Sequence, residues 1–185
     1  MAKIKSLAEL RSVKEKFQSN LDLREKSENP EALTQMKDAM ADSKAAKYKM
    51  HVLCCGGTGC KSSASDEIVA NFNTILKEKG LQDEVLVIKT GCFGFCEKGP
   101  IVKILPEEFF YVEVKPEDAE EIVHESIIKG RVVPRLVYTD EKEKNSKKSK
   151  FDMDEIGFYQ KQYRIVLRNC GFIDPENIDE YIARD

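Results

Sequence analysis

Apolar residues recur at threes and fours, or multiples of them, at the start of the chain. Ile4, Leu7, Leu10, Phe17 and Leu21 are separated by Lys, Arg and Glu, the pattern of an amphipathic helix. Asn29-Pro30 supplies an N-cap and N1 pair for a second helix, to which Leu33, Met36 and Met40 would give an apolar stripe. Residues 1–47 are expected to form a helical arm, a hairpin packed on its own domain, with partner docking as the alternative.

The period changes at Lys49. Lys49–Cys55 reads as a short strand ending in Cys-Cys-Gly-Gly-Thr-Gly-Cys, after which Ser62 and Ser63 offer helix caps, with Asp66 completing a capping box. Ile68, Phe72, Ile75 and Leu76 mark one helical face as far as Gly80. Glu84–Lys89 reads as a buried strand, followed by a second Cys/Gly loop from Gly91 to Gly99. Ile101–Leu105 and Phe109–Val114 form an expected hairpin around Pro106. Pro116 opens a helix with Ala119, Ile122, Val123 and Ile127 inward. Strand, helix, strand, strand, strand, helix predicts an α/β unit over residues 48–139, in which a parallel opening passes into a hairpin, a thioredoxin-like arrangement. Residues 140–150 contain no apolar side chain and read as a charged linker. In the tail, 151–185, Asp174-Pro175 repeats the cap pairing, with Ile178, Tyr181 and Ile182 on one face of a short final helix.

The chain has 185 residues, 41% hydrophobic and 34% charged, with nine Phe, six Tyr and no Trp. That is enough for a real core, and no apolar stretch is long enough to span a bilayer. The amino terminus lacks the apolar region of a secretory signal. A net charge of −3 disfavours nucleic-acid binding. These features predict a cytoplasmic protein with no nucleic-acid partner and no membrane insertion. A homo-oligomer is left open. Between Glu107 and Glu125 acidic residues dominate, either as a solvated helix face or as a docking face for a basic redox partner.

Six cysteines are many for a reducing compartment, where grouped thiols point to metal or redox chemistry. Cys55 and Cys60 form one pair and Cys92 and Cys96 another, each in a glycine-rich loop that follows a strand. Gly56, Gly57, Gly59, Gly91, Gly94 and Gly99 permit positive φ and close backbone approach, so that inward N–H groups can receive anionic sulfur. Structural zinc fits the spacing at its long limit. A thioredoxin-type dithiol would need Cys-x-x-Cys, which is absent, and four unliganded buried thiols would not need the glycines. A [2Fe-2S] cluster held by all four cysteines is the remaining reading and accounts for the glycine-rich loops, on a ferredoxin scaffold whose spacing differs from the plant-type pattern. Cys54 should face away from Cys55 as a packing residue, because strand side chains alternate. Cys170 is read as packing, and His51 and His124 as surface positions.

Cys55-Gly-Gly-Thr-Gly-Cys60 and Lys89-Thr-Gly-Cys92-Phe-Gly-Phe-Cys96-Glu-Lys-Gly-Pro-Ile-Val resemble the thioredoxin-like [2Fe-2S] ferredoxin domain. Glu113–Val123 with Gly130-Arg131 is similar to that domain's closing helix. The variant resembles the one at the amino terminus of the flavin-bearing beta subunit of electron-bifurcating, NAD-dependent iron hydrogenases, which is related to the NADH-binding subunit of NADH dehydrogenase. Phe158-Tyr159-Gln-Lys-Gln162 and Ile165–Glu176 resemble the segment leading into the flavin domain there. The resemblance implies one-electron transfer through a [2Fe-2S] cluster on Cys55, Cys60, Cys92 and Cys96. It also implies flavin/NADH-binding and hydrogenase or other redox subunits as partners. The family motif has one cysteine before Gly-Gly-Thr-Gly, whereas Cys54 and Cys55 are adjacent here. Neither a glycine-rich nucleotide loop nor a second cysteine quartet is found. The chain is therefore expected to be a piece of a larger subunit or a stand-alone module, and not to reduce NAD alone. A structural zinc or assembly module is the alternative function.

Overall fold

The computed structural model describes residues 4–24, 48–139, 153 and 156–184. The expected second helix of the arm and the charged linker lie outside the described residues. Strand β1 (Met50–Cys55) is central in a four-stranded sheet of order β2-β1-β3-β4. It pairs in parallel with β2 (Val85–Thr90) and antiparallel with β3 (Val102–Leu105), which pairs antiparallel with β4 (Phe109–Tyr111). The expected parallel opening and hairpin are both present, in an α/β architecture.

Alternation along β1 divides the interior into two cores. Val52 and Cys54 join Ile68, Phe72 and Leu76 of one helix and Ala119, Ile122 and Val123 of another. Leu53 and Cys55 join Cys60, Ile88, Phe93, Ile101, Phe110, Ile156 and Tyr159 on the other face. Each fully buried aliphatic or aromatic side chain contributes about 1.5–3 kcal/mol.

The first cysteine loop departs from its expected capping box. A short helix α2 (Thr58–Ser62) begins directly after Gly57 and carries Cys60. The longer helix α3 (Ser65–Glu78) starts only after Ala64 has turned through the left-handed region at φ 66°. Ser62 donates instead to the Thr58 carbonyl, and Asp66 pairs with Lys89. After β4, α4 (Asp118–Ile122) runs on as a π-helical segment, Val123–Ile128. This places Ser126 2.6 Å from the Tyr111 hydroxyl in the core.

The amino-terminal helix α1 (Leu7–Asp22) is capped by Ser6. Its expected stripe is only half used. Ile4, Leu7 and Leu10 are exposed, while Leu21 is buried with Ile173 and Ala183, flanked by Phe17 and Phe172. The arm thus packs on the tail. After α5 (Gly157–Gln160), α6 (Ile178–Arg184) turns Glu180 and Ala183 inward and leaves Ile178 and Tyr181 exposed, the reverse of the expected face. Asp174 accepts from Glu176 N and Asn177 from Asp179 N, so the helix begins later than the Asp-Pro pair suggested.

His51 corrects another expectation. It is completely buried, and its Nδ1 accepts from Arg24 Nε at 3.0 Å. Its Nδ1 is satisfied by a charged residue of the arm that sequence spacing could not place beside it, while its Nε2 is buried without a hydrogen-bond partner. No helix among the described residues is long and apolar enough to cross a membrane.

Candidate metal centre

β1 ends at Cys55 and β2 at Thr90. Because the two strands are parallel, the loops that follow them leave the sheet at the same end. The loop after β1 carries Cys60 on α2, and the loop after β2 carries Cys92 and then Cys96, at the start of a 3-10 turn, Cys96–Lys98. The thiols are set out as two pairs. Cys60 shares a hydrogen bond with Cys55, and Cys92 Sγ lies 4.0 Å from Cys96 Sγ. Among the described residues no three His, Cys, Asp or Glu side chains gather tightly enough for a single ion.

The glycines act mainly by lacking a side chain. A Cβ on Gly57 would lie 3.0 Å from Cys92 Sγ, and one on Gly99 would lie 2.5 Å from Cys60 Sγ. The two loops therefore close over each other's sulfurs. Of the six glycines that could adopt positive φ, only Gly94 does, at 84°, and its N–H donates to Cys92 Sγ at 3.2 Å.

Burial pushes the Cys60 thiol up to about 12, reinforced by its hydrogen bond and charge interaction with Cys55. The negative charge of Cys92 is the largest influence raising Cys96, followed by their hydrogen bond. Ionisation of Cys60 and Cys96 is thus disfavoured, and bound cationic iron would relieve that opposition. Sulfur donors, glycine clearance and an inward amide all fit an iron–sulfur cluster. Cys55 and Cys60 are buried, whereas Cys96 is exposed.

Cys54 lies in the opposite core from Cys55, as alternation requires, and burial raises its thiol. Cys170 packs by its sulfur against Gly91, where a Cβ would lie 3.0 Å away. His124 lies outside the cysteine loops and contacts Glu125. The acidic segment is more neutral than its composition suggests. Arg135 bonds Asp118 at 2.7 Å and also Glu121, Lys129 and Arg131 pair with Glu125, and Lys98 with Glu113. Sequence reading missed the tail residues at the second loop. Tyr159 donates to the Phe93 carbonyl and Arg164 to the Cys92 carbonyl. No local motif signals a contact between positions so far apart.

Residues 41–126 match the family model described as thioredoxin-like [2Fe-2S] ferredoxin. A protein named "Ferredoxin, 2Fe-2S" from Clostridium pasteurianum is 48% identical over 77 residues, covering 42% of this chain and 76% of that one. The chain belongs to the thioredoxin-like [2Fe-2S] ferredoxin family. A second ferredoxin of the same name, from Aquifex aeolicus (strain VF5), is 35% identical over 79 residues, covering 42% of this chain and 71% of its own. A 24-residue stretch is 75% identical to the "NADP-reducing hydrogenase subunit HndC" of Solidesulfovibrio fructosivorans, covering 13% of this chain and 5% of that subunit. Membership in the [2Fe-2S] ferredoxin family supplies the cofactor, a [2Fe-2S] cluster, and the class of work, electron transfer.

Proposed function

We propose that Cys55, Cys60, Cys92 and Cys96 hold the cluster, and that the chain passes single electrons as a module of an NAD(P)-linked oxidoreductase or hydrogenase complex in the cytoplasm. The observation that carries the ligand assignment is the meeting of two cysteine pairs from loops whose glycines leave room for the opposing sulfurs. When bound, the cluster supplies a one-electron couple with no substrate turnover. Cys55 and Cys60 anchor its inner side, while Cys96 sits at the surface, which shortens the electron path to a partner. Residues 48–139 act as the electron-carrying unit, with 1–47, 140–150 and 151–185 as arm, linker and tail. The short likeness to the hydrogenase subunit supports flavin/NADH-binding and hydrogenase subunits as partners.

Purified protein should be red-brown, with two irons and two acid-labile sulfides per chain, and should give a rhombic paramagnetic signal after one-electron reduction. Colourless protein that takes up one zinc per chain after anaerobic handling would show a structural metal module instead.

A further inference from the structure

Two consecutive peptide units of the second cysteine loop are gripped from outside by the tail. Tyr159 donates its hydroxyl to the Phe93 carbonyl at 3.0 Å, and Arg164 Nη2 donates to the Cys92 carbonyl at 3.3 Å. The Phe93 carbonyl and the Gly94 N–H belong to one trans peptide, so they point in opposite directions. With the oxygen held by Tyr159, the N–H points at Cys92 Sγ, 3.2 Å away. The ring of Phe95 ties the same loop to the same tail segment. It stacks on Phe158 at 4.6 Å between centroids and meets Tyr159 edge-on at 5.9 Å. Gly171 closes the contact, since a Cβ there would stand 2.8 Å from the Phe93 ring.

We infer that Tyr159 and Arg164 set the reduction potential of the cluster: Tyr159 aims the Gly94 amide at the Cys92 sulfur, and Arg164 places a positive charge beside the same ligand. The inference rests on Cys92 being a ligand. Reduction adds one electron and hence one negative charge, shared among the irons and sulfurs. An N–H···S bond and a neighbouring guanidinium both favour the more negative state, so both raise the potential. Tyr159 is a positioning residue, because it acts only through the amide that it orients. The tail thereby couples its own docking to the energy of the electron carried.

The test is a potentiometric titration of the full chain with dithionite as one-electron reductant, followed by paramagnetic resonance. Tyr159→Phe keeps the ring and removes one hydrogen bond. Arg164→Gln removes the charge, and Arg164→Lys keeps it. The first two should lower the reduced-to-oxidised ratio at fixed potential about three- to tenfold, tenfold being about 59 mV for a one-electron couple. Arg164→Lys should stay close to the unmodified protein. Tyr159→Phe and Arg164→Gln proteins that load two irons and titrate at the unchanged potential overturn the inference. So does an Arg164→Lys protein displaced as far as Arg164→Gln, because charge would then not be the agent. A Tyr159→Phe protein that folds without iron also overturns it, assigning the tyrosine to loop retention. Unmodified protein without iron is a separate result, recognisable by its lack of colour, and removes the ligand assignment together with the inference.

Discussion

Arg24 and Glu180 meet in a buried, two-pronged ion pair, with Nη1 to Oε2 at 2.6 Å and Nη2 to Oε1 at 2.8 Å. Their side chains are 0% and 4% exposed, so neither charge has water to fall back on. Arg24 also donates to the Phe172 carbonyl and to His51, and Glu180 also accepts from Asp174 N. One arginine thus joins the arm, the first strand and the tail.

Replacing Glu180 with Gln leaves the guanidinium buried without a counter-charge. The packing of arm and tail should weaken by about 3–5 kcal/mol. Arg24→Met combined with Glu180→Leu should recover much of that loss, since no lone charge remains. Hydrogen exchange across α1 and α6 measures both. Unchanged protection in Glu180→Gln would show that the pair contributes nothing to docking.

His51 makes the acid limb of stability steeper. Burial, then the neighbouring Arg24 charge, lowers its imidazole to about 3 from an ordinary 6.5. Above pH about 6.5 the ring is neutral whether the chain is folded or not. Between about 6.5 and 3 the unfolded chain binds a proton that the folded chain refuses, so stability falls as pH falls, by up to about 1.4 kcal/mol per pH unit. Below about 3 this contribution levels off. His51→Asn keeps an acceptor near Nδ1 and removes the titration. Urea unfolding between pH 4 and 7 should therefore be less pH-dependent in that variant, and an equally steep profile would contradict the assignment.

What the sequence disclosed and what it hid follow from the range of the interactions. The strands around the two loops have local signatures in alternation and glycine, and β1, β2 and the hairpin appear within a few residues of expectation. The separation of Cys54 from Cys55 follows from the same alternation. The burial of His51, the inward turn of Glu180 and the grip of Tyr159 on Phe93 depend on partners from 27 to 156 positions away, and no local periodicity encodes them. The acidic count around α4 overstates the local charge for a related reason, because Lys98, Lys129, Arg131 and Arg135 lie outside the acidic segment but fold onto it.

The adjacent cysteines of β1 should separate cleanly by mutation. Cys54 is 1% exposed among aliphatic and aromatic neighbours, so Cys54→Ala should cost about 1–2 kcal/mol of stability and leave iron content unchanged. Cys55→Ser exchanges a sulfur donor for a weaker oxygen and should lose most of the cluster. Iron and sulfide analysis, alongside thermal unfolding, distinguishes them. A Cys54→Ala protein that loses its iron would make Cys54 a ligand and reverse the assignment.

Glycines in the two loops differ in what they protect. At Gly99 an added Cβ would stand 2.5 Å from Cys60 Sγ and 3.5 Å from the Cys96 carbonyl, so a methyl group would intrude between both loops. Gly59, inside α2, would meet nothing within 4 Å. Gly99→Ala should displace the Cys60 sulfur and sharply reduce cluster loading while secondary structure is retained. Gly59→Ala should load normally and gain roughly 0.5–1 kcal/mol from helix propensity. Reconstitution with iron and sulfide, read by visible absorption and circular dichroism, compares the two directly. Equal loading would mean that the clearance at Gly99 is not what holds the sulfurs in place.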